Sequence, residues 1–252
     1  MIPIGDDNPQ INLPVVTYSI IALNALSWFL LQGMGSGELL QNSVCHYGLI
    51  SADLFSSFEF DASTDVCGAG NRSGWAGVLS SMFMHGSWAH ILGNMLFLWV
   101  FGDNIEDAMG SLRFAFFYLL TGLCAAAAQV ISNPDSVLPM VGASGAIGGV
   151  MGAYIVLYPR ARVRLLVFLF VFRVPAIAML GYWIIVQIFG GLSSMSATGG
   201  GVAFWAHIGG FVSGAILVLL MKDDELLVKH PHHGWNKSRD PADVWNDPSN
   251  RQ

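Results

Sequence analysis

Ser144 stands between glycines in the stretch VGASGAIGG, Val141–Gly149, near the start of a long apolar run. A hydroxyl on so bare a piece of backbone can act as a nucleophile when a base reaches it. His207, in a later apolar run, is the candidate base. His90 and Asn94 share a third run and lie four residues apart, so a helix presents both on one face. An imidazole and an amide aimed into one cavity can donate hydrogen bonds to an oxyanion. His85 precedes them at the edge of that run. Polar groups are costly inside lipid, so each of these residues asks for a reason. Asn24, Gln129 and Gln187 also fall within apolar runs; no chemistry is assigned to them.

The bland role for a serine in such a run is an interhelical hydrogen bond. The surroundings of Ser144 point further. Gly142 and Gly145 leave its hydroxyl accessible, and a helix cannot extend back through Pro139. Ser144 is therefore expected in a first helical turn, where free N–H groups and the positive dipole end favour a developing negative charge. Ser144, Gly148 and Gly152 recur every four residues, as do Ala206, Gly210 and Gly214 beside His207. Such small-residue faces let two helix backbones approach closely. A Ser–His hydrogen bond of roughly 2.6–3.2 Å needs that approach. Zinc bound by His85, His90 and His207 is the competing reading. It is disfavoured because no carboxylate or cysteine lies near them in sequence.

The elements that must position these groups are read from composition. The 252 residues are 54% hydrophobic and only 11% charged, against about 25% charged in a soluble domain. The mean hydropathy of +0.55 agrees. An integral membrane protein follows, and a net charge of −6 argues against a nucleic-acid partner. Six spans are expected, at about residues 15–31, 86–102, 114–132, 141–158, 175–192 and 202–221. The stretch Ser196–Gly201 separates the last two. Leu165–Phe172, between Arg164 and Arg173, is too short to cross. It reads as an interfacial segment or as a lengthening of the fifth span. Acids rather than bases open the chain (MIPIGDDNP), so the first run reads as a retained helix and not a signal peptide.

Orientation follows from Lys and Arg in short loops. Arg160, Arg162, Arg164 and Arg173 flank the loop between spans four and five with no acid among them. That loop is expected to be cytoplasmic, with both termini on the same side. Of eleven basic residues only Arg72 then faces outward. The long first loop, with Glu38, Asp53, Glu59, Asp61 and Asp65, faces outward. Cys45 and Cys67 lie in that loop, as a disulfide or as two free thiols, and Cys124 packs within span three. The polar tail, residues 222–252, is expected to be flexible, with His230, His232 and His233 solvated rather than metal-bound.

The chain resembles the rhomboid intramembrane serine proteases of the bacterial type. The carrying motifs are HGSWAHILGN (His85–Asn94), GASG (Gly142–Gly145) and AHIGGFVSG (Ala206–Gly214), and the similarity covers about residues 1–221. The resemblance implies an all-α membrane protein: a six-helix bundle with a long outward first loop. Ser144 takes the nucleophile position and His207 that of the general base. His90, Asn94 and the Ser144 backbone N–H take the oxyanion hole. His85, Gly142 and Gly145 are possible supporting residues. No metal and no cofactor are implied. The partners implied are transmembrane protein substrates and the lipid bilayer, in a bacterial inner membrane with the site opening to the outer face. The first loop resembles the family's element embedded in the outer leaflet, and span five its lateral gate. The rival reading is an inactive relative that binds or retains client helices. A small transporter is a further one, and it lacks a membrane-buried carboxylate. Two departures stand out. Many relatives carry Trp-Arg where this chain has Ala76 and Gly77, so its first loop must be braced differently. Some stack an aromatic residue on the base from one turn after the nucleophile; here that residue is Gly148, so His207 must be positioned otherwise.

Overall fold

The computed structural model describes residues 2–55, 67, 74–194 and 202–233. Its elements in chain order are β1 (Ile2–Asp6), α1 (Val15–Leu30), α2 (Gly37–Tyr47), α3 (Gly77–Ser80), α4 (Trp88–Met109), α5 (Ser111–Ser132), α6 (Ser144–Leu157), β2 (Arg162–Val167), β3 (Phe170–Pro175), α7 (Ala176–Ser194), α8 (Phe204–Met221) and α9 (Asp224–Leu227). Helix predominates. α5, α7 and α8 are long and apolar enough to cross a membrane, while α1 and α6 are apolar but shorter. α4 is long but ends in Asp103, Glu106 and Asp107. Arg72, Glu59, Asp61, Asp65 and the Ser196–Gly201 stretch lie outside the described residues.

Helix ends follow local chemistry. The Ser87 Oγ caps α4 by accepting from His90 N at 3.1 Å. Gly110, at φ 78°, stops α4 and lets α5 begin at once. α6 cannot start at residue 141, because Met140 is bridged antiparallel to Leu49 and Gly142 adopts φ 129°. With 14 residues, α6 rises about 21 Å, short of a roughly 30 Å hydrocarbon core. The acids of α4 are structural. Glu106 accepts from Val16 N, Thr17 N and Thr17 Oγ1, supplying partners to the orphan N–H groups that open α1. Asp107 accepts from Ile11 N at 2.6 Å and Asn12 N at 2.9 Å.

α6 is the central helix, buried at every residue from Gly145 to Tyr154. Glycines decide how close α8 comes. A Cβ at Gly210 would meet Gly145 O at 1.9 Å, and one at Gly214 would meet Gly149 O at 2.0 Å. On the α6 side, a Cβ at Gly152 would meet Phe211 O at 2.0 Å. Backbone therefore packs on backbone along this seam, a contact that no larger residue permits. Leu98, Phe101, Ile105, Phe114 and Phe117 fill the core beside it.

The first loop is braced without the Trp-Arg pair. Gln32 Nε2 donates to His85 O at 2.7 Å, and His85 N donates to Gln32 Oε1 at 2.8 Å. Trp28 meets Trp88 edge-on at 5.3 Å. A disulfide joins Cys45 to Cys67. Cys124 is exposed on the outer surface of α5 rather than packed within the bundle.

Three further features depart from the sequence reading. The fold is not wholly helical: β1, β2 and β3 form an antiparallel sheet in that order. The run Leu165–Phe172 is neither an interfacial helix nor an extension of α7; it is most of a β-hairpin. A short continuous apolar run does not reveal its period, and the third strand comes from the far N-terminus. The tail is packed over its first residues. Asp223 caps α9 by accepting from Glu225 N and Leu226 N, and His230 is fully buried against Tyr158 at 5.1 Å.

Candidate active site

Ser144 opens α6, and its Oγ lies 2.8 Å from His207 Nε2 on α8. The small-residue seam brings them together: a Cβ at Gly148 would sit 3.0 Å from His207 O. That closeness also explains why no aromatic side chain can stand one turn after Ser144.

His207 is held from a different helix. Its Nδ1 lies 2.7 Å from Gln187 Oε1, and its ring lies 5.6 Å from that of Trp183. Both partners are on α7, four residues apart and so on one face. A carbonyl oxygen can only accept, so it takes the imidazole N–H on Nδ1 and leaves the Nε2 lone pair for the serine hydroxyl. Gln187 is buried. Sequence reasoning left it without a role. The signal that could have found it was the pairing of Trp183 with a lone amide at helical spacing in an otherwise apolar run.

The second cluster sits at the start of α4. His90 Nδ1 accepts from Gly86 N at 3.3 Å, which places the proton of the neutral ring on Nε2. That Nε2 would be 2.7 Å from a Cβ at Gly142, with Asn94 Nδ2 at 3.5 Å. The bare α-carbon of Gly142 thus faces the point where two side-chain donors converge, two residues before Ser144. His85 is fully buried, and its Nε2 lies 2.9 Å from Asn94 Nδ2. It accepts one amide hydrogen and fixes the plane of Asn94, leaving the second amide hydrogen for the cavity. Gly145 serves packing, since a Cβ there would meet Ala125 Cβ at 2.6 Å. Gln129 accepts from Ala206 N at 3.3 Å, and Asn24 bonds its own helix at Ile20 O.

A cavity of about 890 Å³ is lined by His90, Asn94, Ser144 and His207 and bounded by Asn133, residues 135–141 and the start of α8. A far smaller pocket, about 20 Å³, adjoins Ser144 between Gly122, Ala125, Gly145 and Ala206. The arrangement supplies a hydroxyl, a base with a free lone pair, and donors across a space fit for a carbonyl. These are the parts of nucleophilic acyl transfer.

Comparison with known proteins gives this geometry a context. The family model described as the Rhomboid domain matches residues 72–223. Rhomboid protease GluP of Bacillus subtilis is 31% identical over 140 residues, 56% of this chain and 24% of that protein. RHOMBOID-like protein 2 of Arabidopsis thaliana is 32% identical over 176 residues, 67% of this chain and 47% of that protein. YdcA of Bacillus subtilis is 26% identical over 208 residues, 82% of this chain and 88% of that protein. The match thus spans just under a quarter of GluP, just under half of RHOMBOID-like protein 2, and most of YdcA. The domain match takes in more than half of the chain and contains every residue of the two clusters, so this protein belongs to the rhomboid family.

Proposed function

We propose that this protein is an intramembrane serine endopeptidase that cleaves peptide bonds in or near transmembrane segments of other membrane proteins. The observation that carries the reading is the 2.8 Å contact between Ser144 Oγ and His207 Nε2. An inactive relative that only holds client helices has no use for that pair. Ser144 Oγ attacks the carbonyl carbon as His207 Nε2 takes its proton. The oxyanion is met by the His90 and Asn94 side chains and the Ser144 N–H. His207 returns the proton to the leaving amine as the C–N bond breaks. Water, activated by the same imidazole, then hydrolyses the acyl-enzyme. Gln187 stabilises the imidazolium by accepting from Nδ1. These steps require no metal or cofactor.

In this reading α1, α4, α5, α6, α7 and α8 are six crossings within a protease domain of residues 1–221. Both termini are cytoplasmic, in a bacterial inner membrane. The short α6 starts below the outer surface, so Ser144 lies at depth in a cavity open to that face. A substrate helix must unwind to present its bond, which favours segments with Gly, Pro or small residues near the outer interface.

Labelling with a serine-directed fluorophosphonate tests the assignment. Labelling of the intact protein that disappears in Ser144→Ala supports it. Equal labelling of both, or of neither, together with no cleavage of reconstituted transmembrane substrates, discards it.

A further inference from the structure

The β2–β3 hairpin is the part of the fold that the proposed chemistry leaves unused. It lies beyond the end of α6 farthest from Ser144. Antiparallel register pairs Val163 with Val174, Leu165 with Phe172, and Val167 with Phe170. Directly opposed residues share a face, and alternate residues share a face, so these six form one continuous apolar surface. The other face carries Arg162 opposite Pro175 and the directly opposed pair Arg164 and Arg173 at its base, with the apolar pair Leu166 and Val171 nearer the turn.

The apolar face begins inside the protein and runs out of it. Val163 and Leu165 are 0% and 4% exposed, in the core cluster beneath the helices. Phe172 and Phe170 continue that face at 53% and 70% exposed. At the turn, Phe168 and Leu169 are 92% and 91% exposed. Phe168 also adopts φ 53°, a conformation that Gly, Asn or Asp takes more easily. A bulky ring is thus held in a disfavoured backbone at the tip. A free apolar edge strand such as β3 is a liability in water. The helices against which Val163 and Leu165 pack are those read as crossing the membrane. The same face, continued past the bundle edge, therefore looks toward lipid.

We propose that this hairpin is a membrane-interface paddle. It lays the exposed Phe172–Phe170 end of that face and the Phe168–Leu169 tip into the near leaflet, and its arginines pair with anionic phospholipid headgroups. Charge complementarity selects this occupant: Arg162, Arg164 and Arg173 are exposed, and no acid lies between residues 159 and 194. The acids nearest them are Asp6 and Asp7 of the neighbouring β1 end; Asp6 accepts from the Tyr154 hydroxyl, and Asp7 accepts from Arg162 N and faces His232. Arg173, on the far strand β3, has no β1 neighbour. Opposed like charges on neighbouring strands repel unless an anion lies near both. A sheet lying flat at the interface keeps guanidinium groups at phosphate level while its apolar side reaches the acyl chains. The proposal does not depend on peptidase activity.

Depth measurement tests it. A nitroxide is placed on Leu169→Cys in a Cys124→Ala background, reconstituted in vesicles of phosphatidylcholine and phosphatidylglycerol. A label on Glu225→Cys, exposed on α9, gives the aqueous reference. The Leu169 label is expected to favour collision with oxygen over a water-soluble nickel chelate several-fold more than the reference. Equal accessibility at the two sites overturns the proposal. Strong dipolar coupling between Leu169 labels overturns it as well, because the β3 edge then pairs with a second copy. In native mass spectrometry from mixed micelles, the protein is expected to retain phosphatidylglycerol over phosphatidylcholine. Simultaneous Arg162→Gln, Arg164→Gln and Arg173→Gln substitution is expected to remove most of that preference. An unchanged preference rejects the headgroup pairing.

Discussion

Gln187 Oε1 on α7 lies 2.7 Å from His207 Nδ1 on α8, opposite the nitrogen that meets Ser144. One imidazole therefore links three helices, and the amide sets which nitrogen carries the proton. Removing that acceptor should leave the ring free to protonate at either nitrogen. A hydrogen bond to a charged group contributes roughly 1.5–3 kcal/mol, so Gln187→Leu should lower kcat by about 10- to 100-fold. KM should change little, since substrate does not touch the amide. Gln187→Glu, which keeps an acceptor at the same reach, should recover much of the loss. Imidazole ¹⁵N shifts of His207 check the tautomer without any turnover. If both variants are equally impaired and the tautomer is unmoved, Gln187 only fills space.

Gly142 faces the point where the His90 and Asn94 donors converge. Its φ of 129° disfavours any other L-residue, and a Cβ there would stand 2.7 Å from His90 Nε2. Gly142→Ala should block the donor site and cost about 10²–10³ in turnover, the range for losing an oxyanion donor. The Ser144–His207 contact should persist, because neither side chain touches that position. Cleavage rate, read beside the unfolding temperature in detergent, separates this from simple destabilisation. Turnover near that of the unsubstituted protein would place the oxyanion elsewhere.

How much of this was readable in advance follows from particular residues. Ser144, His207, His90 and Asn94 announced themselves because a polar group in an apolar run is conspicuous, and their spacing is local to single helices. The small-residue stripes of α6 and α8 were visible for the same reason. The partner of Gly210 is Gly145 rather than Ser144; helix rotation, which no periodicity states, decides that. Gln187 was visible but mute, since its meaning depends on how α7 docks against α8. β1 was hidden because its pairing with β2 joins residues far apart in sequence. His230 read as part of a solvated tail because nothing in its neighbourhood predicts the Tyr158 face that covers it.

The α6–α8 seam makes a prediction about geometry rather than chemistry. A Cβ at Gly214 would lie 2.0 Å from Gly149 O, on backbone that cannot swing aside. Gly214→Ala must push the helices apart or twist them. Overpacking of this kind costs about 1–3 kcal/mol. Because Gly214 and His207 lie on the same helix, the displacement should carry His207 away from Ser144. Fluorophosphonate labelling should fall together with the unfolding temperature. Gly181→Ala, with nothing within 4 Å of its added Cβ, is the control and should change neither. Normal labelling in a destabilised Gly214→Ala protein would show that the dyad tolerates helix separation.

Asp6 gives the fold a pH dependence at the end away from Ser144. Burial pushes its carboxyl up from 3.8 to about 7; the neighbouring Asp7 adds to this, while a hydrogen bond from Tyr154 and the Arg164 charge oppose it. The sign follows from where the proton sits. Below 3.8 the carboxyl is protonated in both the folded and the unfolded chain. Between 3.8 and about 7 the unfolded chain releases the proton while the folded one keeps it, so stability from this group declines as pH rises. Above about 7 that contribution is fully lost. Asp6→Asn stays neutral and can still accept from the Tyr154 hydroxyl. Its unfolding temperature relative to the parent should therefore climb across that window and level off beyond it. Thermal unfolding in detergent at a series of pH values reads the difference directly. Parallel curves for the two proteins would mean that Asp6 ionises freely in the folded state, and that the sheet end of the bundle is wetter than its packing implies.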